Sequence, residues 1–344
     1  MTRPTGTAVL TARRVLAWTA GLATLLAVAM LVAASHGAGG GSLADLARPG
    51  ALDPTARAIL LEVRLPRVLL AAILGGSLAA AGIVFQALLR NPLADPYVLG
   101  VSGGASLGGV AALLLGLGSA GRPWLAVPAV AFLGALGALL LIERIATIDG
   151  RLTVLTLLLT GAIFNAFSAA LIFFLQSVAS FEELHAIVFY LMGQVPSLGY
   201  GRVGLLAVAA AGGATALYAM ARDYNALSLG EEGALQLGVD VERVKRRTFV
   251  IGSLLTALAV SVAGLIGFVG LVVPHLLRLL LGPDHRLLIP AGVLGGAAFL
   301  VLADLLARLL VAPNEVPVGV VTALVGGPFF LWLLRARRGV HVGD

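Results

Sequence analysis

The sequence predicts an all-α polytopic membrane protein of about ten transmembrane helices, some of them broken or re-entrant, with N-in and C-in topology. Three observations carry this reading. Apolar residues make up 59% of the 344-residue chain and charged residues 12%, at a mean hydropathy of +1.02, where soluble domains average roughly 45–50% and 25%. With only 23 basic and 17 acidic side chains, the chain cannot cover a soluble particle of this size. The apolar residues also fall into runs of about 20, the length that crosses hydrocarbon. Basic residues, finally, are distributed unevenly between alternate connections.

The runs are bounded by charge, Pro or Gly. The first, 15–34, follows Arg13 and Arg14; it is longer than the apolar core of a signal peptide and reads as a retained span. The second, 65–89, ends at Arg90, and 97–118 opens behind Pro96. The runs 123–142 and 153–176 flank Glu143, Arg144 and Arg151, and 200–221 ends at Arg222. Beyond the basic cluster at 243–247 come 248–267 and 270–281, then 287–309 and 316–334. The run 270–281 is too short to cross as a straight helix, and 182–195 is a further short apolar piece behind Glu182 and Glu183. Both read as broken or re-entrant helices, tolerated in a bilayer only where protein or a water-filled cavity satisfies the backbone. The polar stretches 36–64 and 222–247 are too small for a core of their own, so residues 1–344 read as one transmembrane domain. Gly100/Gly104, Gly104/Gly108 and Gly292/Gly296 are spaced for close helix packing.

With the N-terminus inside, ten crossings leave 7 basic residues outside (Arg48, Arg57, Arg64, Arg67, Arg122, Arg202 and Arg308) and the other 16 within. That bias sets the orientation, with Asn225 inside and Tyr200 outside.

Several chemistries are excluded. The chain has no Cys, so it holds no disulfide, thiolate metal site or thiol nucleophile. Its one Lys, Lys245, stands in Val-Lys-Arg and cannot serve a P-loop. The five His residues show no pair at metal-ligand spacing.

Four constellations remain. Arg64-Leu-Pro-Arg67 on the outer side suits either lipid head groups or the carboxylates of a docking protein. Arg90-Asn-Pro-Leu-Ala-Asp-Pro96 forms a rigid inner turn, in which Asn91 and Asp95 can satisfy freed backbone donors and Asn91 and Leu93 can narrow a pathway. The Gly-rich stretch that follows is too apolar to cradle phosphate. In the inner loop, Ser228 and Glu231 have the spacing of a capping box, and Gly238 is placed to stop the helix. The predicted helix at 228–238 lies outside the membrane and, with the charges at 242–247, offers a surface to a cytoplasmic partner. In the C-terminal third, Gly264, Gly267, Gly270 and Pro274 interrupt the helix. Asp304 and Arg308 are four apart and can neutralise one another, as a structural pair or as part of a relay with His275.

The segments R-L-P-R at 64–67, R-N-P-L-A-D-P at 90–96, L-G-V-S-G-G-A at 99–105, L-G-E-E at 229–232 with L-G-V at 237–239, G-F-V-G-L-V-V-P-H-L-L-R at 267–278, D-H-R at 284–286, L-A-D-L-L-A-R at 302–308 and P-V-G-V-V-T-A at 317–323 cover the chain from about residue 60 onward. In this order they resemble the FecCD-type permeases of ABC importers for iron chelates, haem and cobalamin. The resemblance implies a multi-pass permease of the bacterial cytoplasmic (inner) membrane, acting as a homodimer. Two copies of a cytoplasmic ATP-binding subunit, which hold the ATP and Mg, and one extracytoplasmic solute-binding protein would complete it. No cofactor in this chain, no enzymatic activity and no nucleic-acid partner are implied. By matching position, Ser228, Leu229, Gly230, Glu231, Glu232, Leu235, Leu237 and Gly238 would form the ATPase-coupling helix. Arg64, Arg67 and Arg308 would meet the binding protein, and Asn91, Leu93, Thr153, Val154 and Leu155 would form the cytoplasmic gate. The rival reading is a secondary transporter driven by an ion gradient, with Asp304 and His275 as relay groups.

Overall fold

A backbone in hydrocarbon has no hydrogen-bond partner but itself, so the long apolar runs fold as helices. The computed structural model describes residues 11–37, 53–119 and 124–338. Helix α1 is Ala12–Ser35, capped by Thr11. Helix α2, Pro54–Ala58, continues through a π-helical turn, Ile59–Arg64, into α3, Leu65–Leu88, as one 35-residue helix. Then come α4 (Val101–Leu114), α5 (Ala126–Ala146), α6 (Val154–Val178), α7 (Phe181–Met192), α8 (Tyr200–Ala219) and α9 (Ala221–Leu227). The chain continues with α10 (Glu231–Gln236), α11 (Val241–Ala263), α12 (Val269–Leu281), α13 (His285–Leu309) and α14 (Val318–Arg338). A two-stranded antiparallel ribbon, β1 (Thr147–Ile148) with β2 (Arg151–Leu152), joins α5 to α6.

Among the described residues seven helices are long and apolar enough to cross a membrane, and three shorter apolar helices occupy the remaining predicted runs. The boundaries differ in instructive ways. Part of the expected loop 36–64 is helix, because the π-turn widens the backbone just before Pro66 and relieves the clash of its ring with the preceding turn. The run 97–118 is shortened: a 3₁₀ turn at Pro96–Leu99 precedes Gly100 in the left-handed conformation, and only then does α4 begin. Helix α11 starts at Val241, seven residues before the predicted span. Gly270 lies inside α12 and does not interrupt it, and neither does Pro274 break the helix as expected. Pro274 has no N–H for the Gly270 carbonyl, towards which Gln86 Nε2 donates at 3.4 Å. Arg3, Arg48 and Arg122, used in the charge comparison, lie outside the described residues.

Helix α3 is the spine, with α13, α11, α12 and α8 packed around it. Lipid offers no hydrophobic drive between helices, so close backbone approach must supply the contact energy. A methyl group on Gly75 would collide with the Gly296 backbone, and one on Gly82 with Gly270. Gly104 and Gly108 likewise meet α5 at Gly134 and Val130, so these glycine pairs serve packing.

The predicted discontinuity is present at residues 264–268, between α11 and α12, and again at 193–199 after α7. Their freed backbone groups find protein partners. The Gln194 N–H donates to Ala263 O at 2.7 Å, Gly319 N–H to Gly193 O at 3.2 Å, and Ile266 N–H to the Tyr97 hydroxyl at 2.9 Å.

Two ends result. One holds the start of α1, where Arg14 donates to Leu281 O at 3.0 Å, together with Arg90, the β-ribbon, α9, α10 and the start of α13. The other holds the end of α1, the π-turn, Tyr200 and the end of α13. Asn225 and Tyr200 therefore lie at opposite ends, and the first and last described helices α1 and α14 have their outer termini at the same end.

Candidate functional site

The α10 end is built around a short helix. The chain leaves α9 through Ser228–Gly230, and Gly230 takes the N-cap position at φ +101°, ψ 161°, a conformation essentially restricted to glycine. The expected capping box between Ser228 and Glu231 is not formed. Ser228 is still in right-handed helical geometry, so its hydroxyl turns back to Asn225 O at 2.6 Å. The helix is accordingly Glu231–Gln236, shorter than the predicted 228–238. Gly238 does stop it in the left-handed conformation, at φ +81°. Leu229, Leu235 and Leu237 stand exposed around α10, and Glu232 is exposed beside them.

Released from capping, Glu231 turns to the bundle. Its carboxylate lies 3.2 Å from Lys245 Nζ and 3.9 Å from the Arg90 guanidinium. Lys245, in the first turns of α11, has only 6% of its side chain exposed and also lies 2.6 Å from Glu242. Glu242 in turn accepts the Leu152 backbone N–H at 2.8 Å, at the end of β2. Arg246 reaches Glu143 on α5 at 3.1 Å. A cavity of about 510 Å³ opens among these groups, lined by Glu231 and Leu235 from α10 and by Thr153, Val154 and Leu155 from the start of α6. Two residue sets expected to act separately, the coupling helix and part of the gate, thus share one cavity.

Asn91 and Leu93 do not line it. They lie in the neighbouring turn, where Asn91 Oδ1 accepts the Leu93 N–H at 3.0 Å and Asp95 Oδ1 accepts the Tyr97 N–H at 2.9 Å. Burial pushes the Asp95 carboxyl up to about 6, against the opposing pull of that Tyr97 hydrogen bond. At the start of α13, Asp284 accepts from Asn225 Nδ2 at 2.8 Å and from Arg286, and the Arg286 guanidinium first of all holds its carboxyl down at about 2. Asn225 also accepts the His285 N–H at 2.9 Å, which fastens α9 to α13 just before α10.

The sequence reading missed Lys245 and Glu242 as a junction, and the ribbon beside the gate. A signal for each was present: Glu242 and Lys245 are three apart on one helix, and Asp149-Gly150 is a dipeptide that favours tight hairpins.

At the other end, the predicted Asp304–Arg308 pair forms, with Nε to Oδ2 at 3.0 Å. Arg67 joins it from α3, placing Nη2 2.9 Å from Asp304 Oδ1 and Nη1 2.7 Å from Glu315. Arg308 also donates to the carbonyls of Ala33 and His36 at 3.0 and 2.9 Å, and Arg64 to those of Ala34 and Gly37 at 3.0 and 3.2 Å. Two guanidinium groups therefore cap the last carbonyls of α1, where cations are favoured. Arg64 and Arg308 are buried; Arg67, with 15% of its side chain exposed, is the most accessible of the three. Both Asp304 oxygens are occupied by guanidinium groups, an arrangement that does not favour a proton relay.

The FecCD transport family model matches residues 22–336. The chain is 45% identical over 284 residues to the cobalamin import system permease protein BtuC of Halobacterium salinarum, covering 83% of this chain and 75% of that one. It is 42% identical over 290 residues to the hemin transport system permease protein HmuU of Yersinia pestis, covering 83% and 85%. Among solved structures, a metal-chelate type ABC transporter in an inward-facing conformation superimposes with a TM-score of 0.81 at 31% identity, covering 93% of this chain and 99% of that one. With its apolar helices, its discontinuous segments and these relatives, the chain is a multi-pass membrane protein that belongs to the FecCD transport family of ABC transporter permeases.

Proposed function

We propose that this chain forms the translocation path of an ABC importer for an intact iron chelate, haem or cobalamin, with α10 as the element that engages the ATPase. The observation that carries the proposal is the shared cavity: Leu235, exposed on α10, lines the same space as Thr153, Val154 and Leu155. A partner that engages the exposed Leu229, Leu235 and Leu237 and shifts α10 reshapes the cavity that the start of α6 also lines. In this reading Asn91, Leu93 and the 153–155 turn close the path on the cytoplasmic side. Two copies of the permease enclose the path, two ATP-binding subunits supply ATP and Mg, and no cofactor resides in the permease. Nucleotide favours one conformation only through differential contacts at α10.

An extracytoplasmic solute-binding protein docks at the other end, where Arg67 is the accessible cation. Docking through Arg64 or Arg308 requires their bonds to α1 to open. The relatives' names support the substrate class, and an intact chelate needs a wide, weakly binding path instead of a tight metal site.

The test is reconstitution with ATP-binding and solute-binding subunits in proteoliposomes. Uptake is expected to require ATP, to continue when ion gradients are collapsed, and to fall at least tenfold in the Leu235→Glu/Leu237→Glu variant as the ATP-binding subunit dissociates. Uptake that persists without that subunit and stops with the ion gradient would replace this reading with the secondary transporter.

A further inference from the structure

We infer that Lys245 is the positioning residue that carries movement of α10 to the gate turn at 153–155. The inference rests on the reading of α10 as the ATPase-engaging helix. It adds the physical link by which that helix acts.

Among the described residues, Lys245 joins both sides. Its ammonium lies 3.2 Å from Glu231, the first residue of α10, and 2.6 Å from Glu242. Glu242 holds the Leu152 N–H at 2.8 Å, and Leu152 is followed directly by the residues lining the cavity. Three contacts thus lead from α10 to the gate, through Glu231, Lys245, Glu242 and the backbone of Leu152.

The strength of the links is graded. Lys245 is buried, with 6% of its side chain exposed, so its charge must stay compensated whenever α10 moves. Glu231 and Glu242 are each 36% exposed, so water can replace either one at modest cost. A buried cation between two part-exposed carboxylates can change its share between them without losing both. Lys suits this position better than Arg, because a compact ammonium on a flexible stem can swing between partners, whereas a planar guanidinium fixes one geometry. This is the chain's only Lys.

The rest of the gate region is anchored elsewhere. Arg246 ties α11 to α5 through Glu143 at 3.1 Å, and Thr153 N–H returns to Ala146 O at 3.0 Å. Asp149 and Gly150, both at positive φ, close the ribbon tightly. The turn therefore moves as a unit, and Glu242 is its side-chain contact with the start of α11. Arg90, 3.9 Å from Glu231, gives α10 a looser tie to the loop carrying Asn91 and Leu93.

The chain lacks Cys, so Leu155→Cys can serve as a single labelled reporter. The complex of the full chain with its co-purifying ATP-binding subunit would be placed in nanodiscs, and maleimide labelling compared without nucleotide and with ATP–vanadate. With Lys245 present, the labelling rate should change by about fivefold or more, the lower range of allosteric coupling. With Lys245→Met, the change should fall below about twofold while the ATP-binding subunit remains bound, and Lys245→Arg should recover part of it by restoring the charge. Glu242→Gln keeps an acceptor for Leu152 but weakens the pair with Lys245. It should reduce the nucleotide response in the same way, and it decides the matter if Lys245→Met does not assemble. A full nucleotide response in Lys245→Met with the subunit bound overturns the inference, as does a reporter that ignores nucleotide in the unsubstituted complex. Failure of any ATP-binding subunit to associate with the unsubstituted chain would instead overturn the reading of α10.

Discussion

The two ends of this permease use the same residue types for opposite purposes. At the α1–α13 end, Asp304 is wholly buried between Arg67 and Arg308, and Arg64 and Arg308 spend their remaining donors on the carbonyls that finish α1. At the α10 end, Glu231 and Glu242 stay part-exposed around Lys245, and a cavity of about 510 Å³ opens beside them. The first cluster has almost every donor and acceptor committed and little room to rearrange, so it acts as a brace. The second has carboxylates that water can also serve, so its pairings can exchange. Charge count alone does not separate the two; burial and the number of protein acceptors per cation do.

The comparison breaks most easily at Asp304. Replacing it with Ala removes the shared anion and leaves two guanidinium groups close together and largely buried, a change expected to cost about 3–5 kcal/mol. Thermal unfolding and the yield of monodisperse protein in detergent would register it. A loss under about 1 kcal/mol would mean the brace is instead a solvated surface pair.

The next effect lies at Gly230. Its φ of +101° with ψ 161° suits glycine, so Gly230→Ala should strain the entry to α10 by about 1–3 kcal/mol. Ser228→Ala is the control: its hydroxyl does not cap α10, and the change should stay within about 0.5 kcal/mol. Hydrogen exchange of the α10 amides would compare the two. If Ser228→Ala loosened α10 as much as Gly230→Ala, the capping box would have to form after all.

The smallest effect is expected at Glu315, which is 47% exposed and pairs with Arg67. Glu315→Gln should change stability by less than about 1 kcal/mol. It should nevertheless raise affinity for the solute-binding protein at low salt, because it frees part of the Arg67 guanidinium for a partner carboxylate. Unchanged affinity at every salt concentration would assign Arg67 to the brace alone.

Much of the fold is legible in the amino-acid sequence, and for local reasons. Apolar run length set the helices, and Gly264 marked the break between α11 and α12. The i,i+4 spacing of Asp304 and Arg308 gave a true pair because a single helix fixes it. The candidate site was less legible. Ser228 and Glu231 had the right spacing to cap, yet Gly230 between them took the cap position and turned Glu231 towards Lys245.

The sequence by itself determined that the chain crosses a membrane, roughly where each helix runs, and that its one Lys does not stand in a P-loop motif. Periodicity, length and residue inventory are properties of neighbours along the chain, and they need no knowledge of how helices cross. Tertiary structure alone decided which charges meet. Arg67 lies 237 residues from Asp304, Leu152 lies 90 from Glu242, and the end of α1 reaches Arg308 across 272 residues. The first of these pairs follows from the glycine-lined crossing of α3 and α13, and the others from the packing of α11 on the ribbon and of α1 on α13, which set which side chains come within reach. Helix packing likewise decides which ions water can still touch, and so which cluster is rigid and which can move.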